Sequence, residues 1–245
     1  MYHFYVEPDA VSENTARITG SDVNHIKNVL RMHPGEEIMI LDGNGMEYRC
    51  EIESVSDEVC ARVLEAKKTE AELSVRLLLF QGLPKKDKME LIIQKAVELG
   101  VSEIIPVLTK RTVVKLEDKK KEQKKLERWQ AIAEAAAKQS GRGVIPKVHE
   151  AVKFPEAVKQ AGELDEALIP YELAKGMEEA RERVRGLRGK KTVGIFIGPE
   201  GGFEAEEIET AVNAGIHPIT LGKRILRTET AGLCILSVIM FEIEE

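Results

Sequence analysis

From residue 74 onward, short apolar runs alternate with amphipathic stretches, and this rhythm restricts the fold more than any other feature of the chain. "SVRLLLFQGL", "VSEIIPVLT", "VIPKV", "EALIPYE", "TVGIFI" and "HPITL" each read as a buried strand. Between them, "KKDKMELIIQKAVELG" has helical spacing closed by Gly100, and a long helix runs from about Lys115 to Ser140. "PEAVKQA", the stretch from Met177 to Leu187 and "EAEEIETAVNAG" supply further helices, and a last one begins at Thr228, read as its N-cap. Strands that are apolar on both faces and joined through helices form a parallel sheet with both faces covered. The predicted fold class is α/β.

The first 70 residues follow another pattern. "MYHFYV" and "EEIMILDG" have strand character, "DGNG" marks a hairpin, and "MEYRCEIESVSDEVCARVLEA" alternates loosely. One short helix, about Asp22 to Met32, interrupts them. A small β-barrel-like domain is expected over 1–70, followed by the charged connector "KKTEAEL" and a second domain over 74–245.

Hydrophobic residues make up 43% of the 245 and charged ones 32%, the balance of a globular chain rather than a disordered one. No apolar run approaches the ~20 residues of a membrane span, and no basic-then-apolar leader opens the chain, so a cytoplasmic protein is expected. Cys50, Cys60, Cys234 and the five histidines show no metal-ligand spacing, so no metal is expected and the thiols are read as reduced. The net charge of −6 is unevenly spread: residues 1–70 carry 7 Lys/Arg against 14 Asp/Glu, whereas 81–148 carry 16 against 9. An anionic partner, nucleic acid among them, would be drawn to the middle of the chain.

In open parallel sheets, ligands sit beyond the carboxyl ends of the strands. "IGPEGGF", 197–203, lies at such an end, and its glycines bare the main chain. A phosphate would meet Glu200, Glu204, Glu206 and Glu207 there, so the loop suits a neutral or cationic ligand better. "LGKRILRTETA", 221–231, repeats the arrangement after the next strand: Gly222 bares the backbone, and Ile225 and Leu226 interrupt the cations Lys223, Arg224 and Arg227. A bare turn explains either loop alone; two at neighbouring strand ends can face one ligand from two sides.

The pair "IGPEGGF" and "LGKRILRTETA" closely resembles the RsmE family of ribosomal RNA methyltransferases in the SPOUT superfamily. "HIKNVLRMHPGEEIMILDGNG", "KKDKMELIIQKAVELGV" and "AIAEAAAKQSGR" extend the resemblance over the whole chain. It implies a PUA-like N-terminal RNA-binding barrel, a C-terminal SPOUT sheet with a trefoil knot, a homodimer, and S-adenosylmethionine enclosed by loop backbones at Ile197, Gly198, Glu200, Gly201, Leu221, Gly222, Ile225 and Leu226. The implied reaction is methyl transfer to N3 of a uridine in 16S rRNA of the small subunit. Uracil N3 becomes nucleophilic only as its proton leaves, so the site needs a cation for the charge that spreads onto the carbonyls. Arg227, between the loop and a helix start, is the candidate; a salt bridge to Glu229 or Glu200 is the alternative.

For the RNA, Lys85, Lys86 and Lys88 open a helix, where cations are unfavourable unless they meet phosphates. Arg142 in "SGR" matches a family stretch near the substrate, and His25 and Arg31 match the N-terminal motif, although the domain around them is acidic. The three lysines and Arg142 each have a plain surface role as the alternative. The last helix, "TAGLCILSVIMFEIEE", is apolar almost all round and so is buried on more than one side, in the core or in an interface. Two rival functions differ in class: a Rossmann-like dinucleotide enzyme, disfavoured because no G-x-G-x-x-G follows an early strand, and a non-catalytic RNA-binding or ribosome-assembly factor on the same fold.

Overall fold

The computed structural model describes residues 1–114 and 119–244. The start expected for the long helix, Lys115 to Asp118, lies outside the described residues. The chain forms two compact units: Met1–Glu72 together with Ala137–Ile145, and Leu73–Ala136 together with Pro146–Glu245.

In the first unit, strands β1 (Tyr2–Tyr5), β2 (Thr15–Ile18), β3 (Glu37–Leu41), β4 (Met46–Val55) and β5 (Val59–Lys68) pair in the order β1-β3-β4-β5-β2. The expected hairpin joins β3 to β4, and the Asp42 carboxylate fastens it by accepting the amides of Asn44 and Met46. Register shifts at Arg49/Cys50 and Ile52/Ser54 add twist to the β4–β5 ribbon. The sheet curls around Phe4, Ile18, Ile26, Ile38, Ile40 and Ile52 but leaves β1 and β2 as edges, so it is a half-barrel. The short helix is two pieces, α1 (Ser21–Asn24) and a π-helical turn His25–Leu30, stopped by Arg31 in a left-handed conformation with φ 54°.

The segment Ala137–Ile145 joins this unit through a buried polar clamp. The Tyr5 hydroxyl donates to the carbonyls of Ala137 and Arg142, and burial, reinforced by Glu72, pushes its pKa up to about 12, so it stays a donor. The Arg142 guanidinium, 3% exposed as a residue, pairs with Glu72, whose carboxylate also takes the Val144 amide at 3.1 Å. The charge expected to meet RNA is thus turned inward, onto a carboxylate of its own unit. Arg142→Ala would leave Glu72 largely buried without its counter-charge, a loss on the order of 3 kcal/mol. Thermal melts should show a fall in Tm of roughly 6–10 °C, and an unchanged Tm would reduce the pair to ornament.

The second unit holds the parallel sheet: β6 (Arg76–Gly82), β7 (Glu103–Leu108), β8 (Lys147–Val148), β9 (Val152–Lys153), β10 (Glu166–Pro170), β11 (Thr192–Ile197) and β12 (His217–Ile219). Their order is β12-β10-β11-β6-β7-β8, with β9 also paired to β7, and every pairing is parallel. Helices α2 (Lys88–Glu98), α3 (Lys119–Ser140), α4 (Phe154–Ala161), α5 (Met177–Arg185), α6 (Ala205–Asn213) and α7 (Thr228–Ile243) accompany them. The run "VIPKV" yields only the two-residue β8, because Pro146 offers no N–H to the ladder. The core gathers around Phe80 and Phe196, stacked at 4.5 Å, with Phe154 edge-on to Phe196 and Phe203 against Phe154. Among the described residues no helix is long and apolar enough to cross a membrane.

Candidate active site

β12, β10 and β11 lie side by side and end in the same direction. The segments leaving them, Pro170–Glu172, Gly198–Phe203 and Ile225–Arg227, border a hollow of about 420 Å³, completed by Lys88 of α2 and by Thr228 and Ala231 of α7. Of the expected cofactor positions, Ile197, Gly198, Glu200, Gly201, Ile225 and Leu226 line it, and so does Arg227. Leu221 instead borders a groove between α5 and α7, and Gly222, with φ 113°, borders neither.

The glycine loop is held from several sides. Gly202 donates to the Pro199 carbonyl at 2.9 Å and takes φ 69°, a conformation that favours glycine. Glu204 caps α6 in a reciprocal box with Glu207, and the other Glu207 oxygen accepts the Lys110 amide at 2.9 Å. Arg111 donates to the Gly201 carbonyl at 2.6 Å and to Glu204 at 2.8 Å. A Cβ on Gly201 would lie 3.2 Å from the Arg111 side chain, so the bareness of this glycine serves Arg111 and not only a ligand.

Glu200 is not the uncompensated charge that the sequence suggests. Its carboxylate accepts the Lys85 amide at 3.1 Å and pairs with Lys88 Nζ at 3.2 Å. Burial opposes its ionisation, but its own amide, the Lys85 amide and Lys88 together hold the carboxyl below its usual range. Lys88 also reaches Glu229 at 3.3 Å. The three lysines do not open the helix together. Only Lys88 belongs to the first turn of α2, and it faces two carboxylates, which offset the cost of a cation there. Lys85 and Lys86 precede the helix and are exposed, Lys86 with φ 57°.

Arg227 stands where the loop meets α7. It, and not Thr228, is the N-cap residue, with extended backbone (φ −65°, ψ 155°). Thr228 is the first helical residue and is buried; its hydroxyl donates to the Gly198 carbonyl at 2.6 Å instead of capping its own helix. The Arg227 side chain is exposed and makes no hydrogen bond or ion pair among the described residues. Glu200 and Glu229, its alternative partners, are both occupied by Lys88.

Sequence reasoning missed Tyr171, Glu172 and Gly82. The first two follow a strand just as the glycine loop does, and the strand-end rule marks them once β10 is known to lie between β11 and β12. Gly82 ends β6, where a Cβ would come within 2.6 Å of Pro199 Cδ and 2.7 Å of Pro199 N. His25 and Arg31 lie in the first unit, both exposed, His25 opening the π-helical turn and Arg31 ending it; the His25 ring meets Phe4 edge-on at 6.3 Å.

Residues 71–240 match the model of an RNA methyltransferase domain, and residues 18–71 that of an RNA methyltransferase PUA domain. The chain is 40% identical over 234 residues to ribosomal RNA small subunit methyltransferase E of Bacillus subtilis, covering 94% of this chain and 91% of that one. This chain belongs to the RsmE family. Among solved structures, the RsmE-type enzyme of Neisseria gonorrhoeae bound to S-adenosyl methionine is similar at a TM-score of 0.80 and 33% identity, covering 97% of this chain and 95% of that one. A putative methyltransferase of Legionella pneumophila in complex with the same cofactor matches at 0.80 and 32%, covering 97% and 96%. An RsmE-type chain with a curled N-terminal half-barrel and a parallel sheet is what the fold shows.

Proposed function

We propose that this protein is an S-adenosylmethionine-dependent methyltransferase acting on N3 of a uridine in 16S rRNA of the small ribosomal subunit. The observation that carries the reading is the hollow at the ends of β10, β11 and β12, with Arg227 on its border and without a partner among the described residues. Its volume lies within the range of about 300–1,000 Å³ of small-molecule pockets. Glu172 on its border suits a cation, Glu200 being already paired with Lys88, and the main chain from Lys223 to Leu226 is engaged by no hydrogen bond among the described residues.

Residues 197–201 and 225–226 would hold the cofactor, largely through main-chain groups, with Leu221 and Gly222 as further contacts of the loop after β12. When bound, S-adenosylmethionine supplies an electrophilic methyl group on a sulfonium. Arg227 would stabilise the imide charge that develops on the uracil as N3 loses its proton, and the N-terminus of α7 adds a favourable partial charge. The SPOUT assignment, the trefoil knot, a cytoplasmic location and a split at residues 70–74 belong to the same reading. So does a homodimer, supported by Phe241 (83% exposed) and Val238 (48%) on the otherwise apolar α7.

Calorimetric titration with S-adenosylmethionine tests the reading. Saturable binding is expected; no uptake at millimolar cofactor would instead favour a non-catalytic RNA-binding factor. For the RNA, the exposed Lys85 and Lys86 remain candidates with His25 and Arg31, while Lys88 and Arg142 are committed to carboxylates. Lys85→Glu together with Lys86→Glu should weaken RNA binding and lower its salt slope by about 2. An unchanged slope would move the RNA surface elsewhere.

A further inference from the structure

Gln81 and Thr228 form a hydrogen-bond chain that none of the roles above uses. Gln81, in β6, is fully buried. Its Nε2 donates to the Gly82 carbonyl at 2.9 Å and to Thr228 Oγ1 at 3.0 Å. The Thr228 hydroxyl has one proton and gives it to the Gly198 carbonyl at 2.6 Å. Turning the Gln81 amide over would set its oxygen against the Gly82 carbonyl, so the chain has one direction. What it leaves over is Gln81 Oε1, buried and without a partner among the described residues, beside α7 at Gly232, where a Cβ would lie 3.9 Å away. A methionine would fill the same space without an unmet acceptor. A buried group retained at such a cost points to a constraint beyond packing.

The chain joins the end of β6, the first residue of the glycine loop and the first residue of α7, next to Arg227. We infer that Gln81 and Thr228 are positioning residues: their hydrogen bonds fix the Gly198 carbonyl and the start of α7 in one arrangement, and thereby hold both the cofactor loop and Arg227 ready. The inference rests on the methyltransferase reading. Gln81 does not border the hollow, and Thr228 borders it with its hydroxyl proton already committed, so both act through their neighbours.

Thr228→Val removes the hydroxyl at nearly constant shape, Thr228→Ser restores it, and Gln81→Met removes the donor. With the full chain, calorimetry with S-adenosylmethionine and amide hydrogen exchange over residues 198–202 are the readouts. Thr228→Val should raise the Kd about tenfold or more and speed exchange in the loop, while exchange in β7 stays as in the wild type and the melting temperature falls by only a few degrees, the effect of one unmet buried carbonyl. Thr228→Ser should bring both readouts back toward wild type. The double variant with Gln81→Met should be no worse than Thr228→Val alone, because one chain is broken once. Wild-type affinity and loop exchange in Thr228→Val, a serine variant as impaired as the valine, or additive losses in the double variant would each overturn the inference. So would faster exchange throughout the sheet, which would make the chain merely structural. A wild-type protein that took up no cofactor would remove the methyltransferase reading, and loop exchange would still show whether these bonds hold the loop.

Discussion

Arg227→Ala is expected to lower the single-turnover methylation rate about a hundredfold or more, the scale of losing one donor to a developing oxyanion. The guanidinium borders the hollow from the N-cap of α7 and is tied to nothing among the described residues. Its loss should therefore not disturb packing, and Tm should hold. An interaction made mainly in the transition state leaves ground-state affinity alone, so the Kd for S-adenosylmethionine should change little. Arg227→Lys should rescue only in part, because an ammonium cannot present the planar fork that spans adjacent acceptors. Rates are to be measured with RNA and cofactor both saturating. A normal rate accompanied by weak RNA binding would make Arg227 a positioning residue and remove its catalytic assignment.

Gly82→Ala should be the more damaging change to the architecture of the site. The new methyl would fall 2.6 Å from Pro199 Cδ, 2.7 Å from Pro199 N and 3.0 Å from the Gly198 carbonyl carbon. Two of those atoms are backbone, and Gly198 is tethered through Thr228, so the strain cannot be relieved by a side-chain rotation. Overpacking of this kind costs about 1–3 kcal/mol. The loop that must yield is the one lining the hollow, so a lower Tm and a Kd raised about tenfold or more should appear together. Gly232→Ala is the control. There a Cβ would meet Ile197 and Gln81 at 3.8 and 3.9 Å, ordinary contact distances, and stability should hold or rise. If Gly82→Ala melted and bound like the wild type, the close crossing of β6 and the glycine loop would not be the constraint described.

The period of the chain and the bareness of its loops follow from local chemistry alone. Apolar runs such as "TVGIFI" can only be buried strands, and helices between them compel parallel pairing, so the α/β class and the placing of "IGPEGGF" and "LGKRILRTETA" at strand ends were legible from local chemistry. Charge partners were not. Lys88, Arg142 and Glu200 look free in sequence because their counter-charges, Glu229, Glu72 and Lys88, are distant along the chain or belong to another element. Thr228 reads as an N-cap because such residues commonly serve their own helix, yet the carbonyl it serves lies 30 residues earlier. Gly82 gives no local sign of its role, since the proline it must clear is brought there by the β6–β11 pairing. Periodicity and turn chemistry act over a few residues and can be read directly. Ion pairing and steric contact act through space, so only the folded chain decides which cation is paired, which glycine has no room for a Cβ and which arginine has no partner among the described residues.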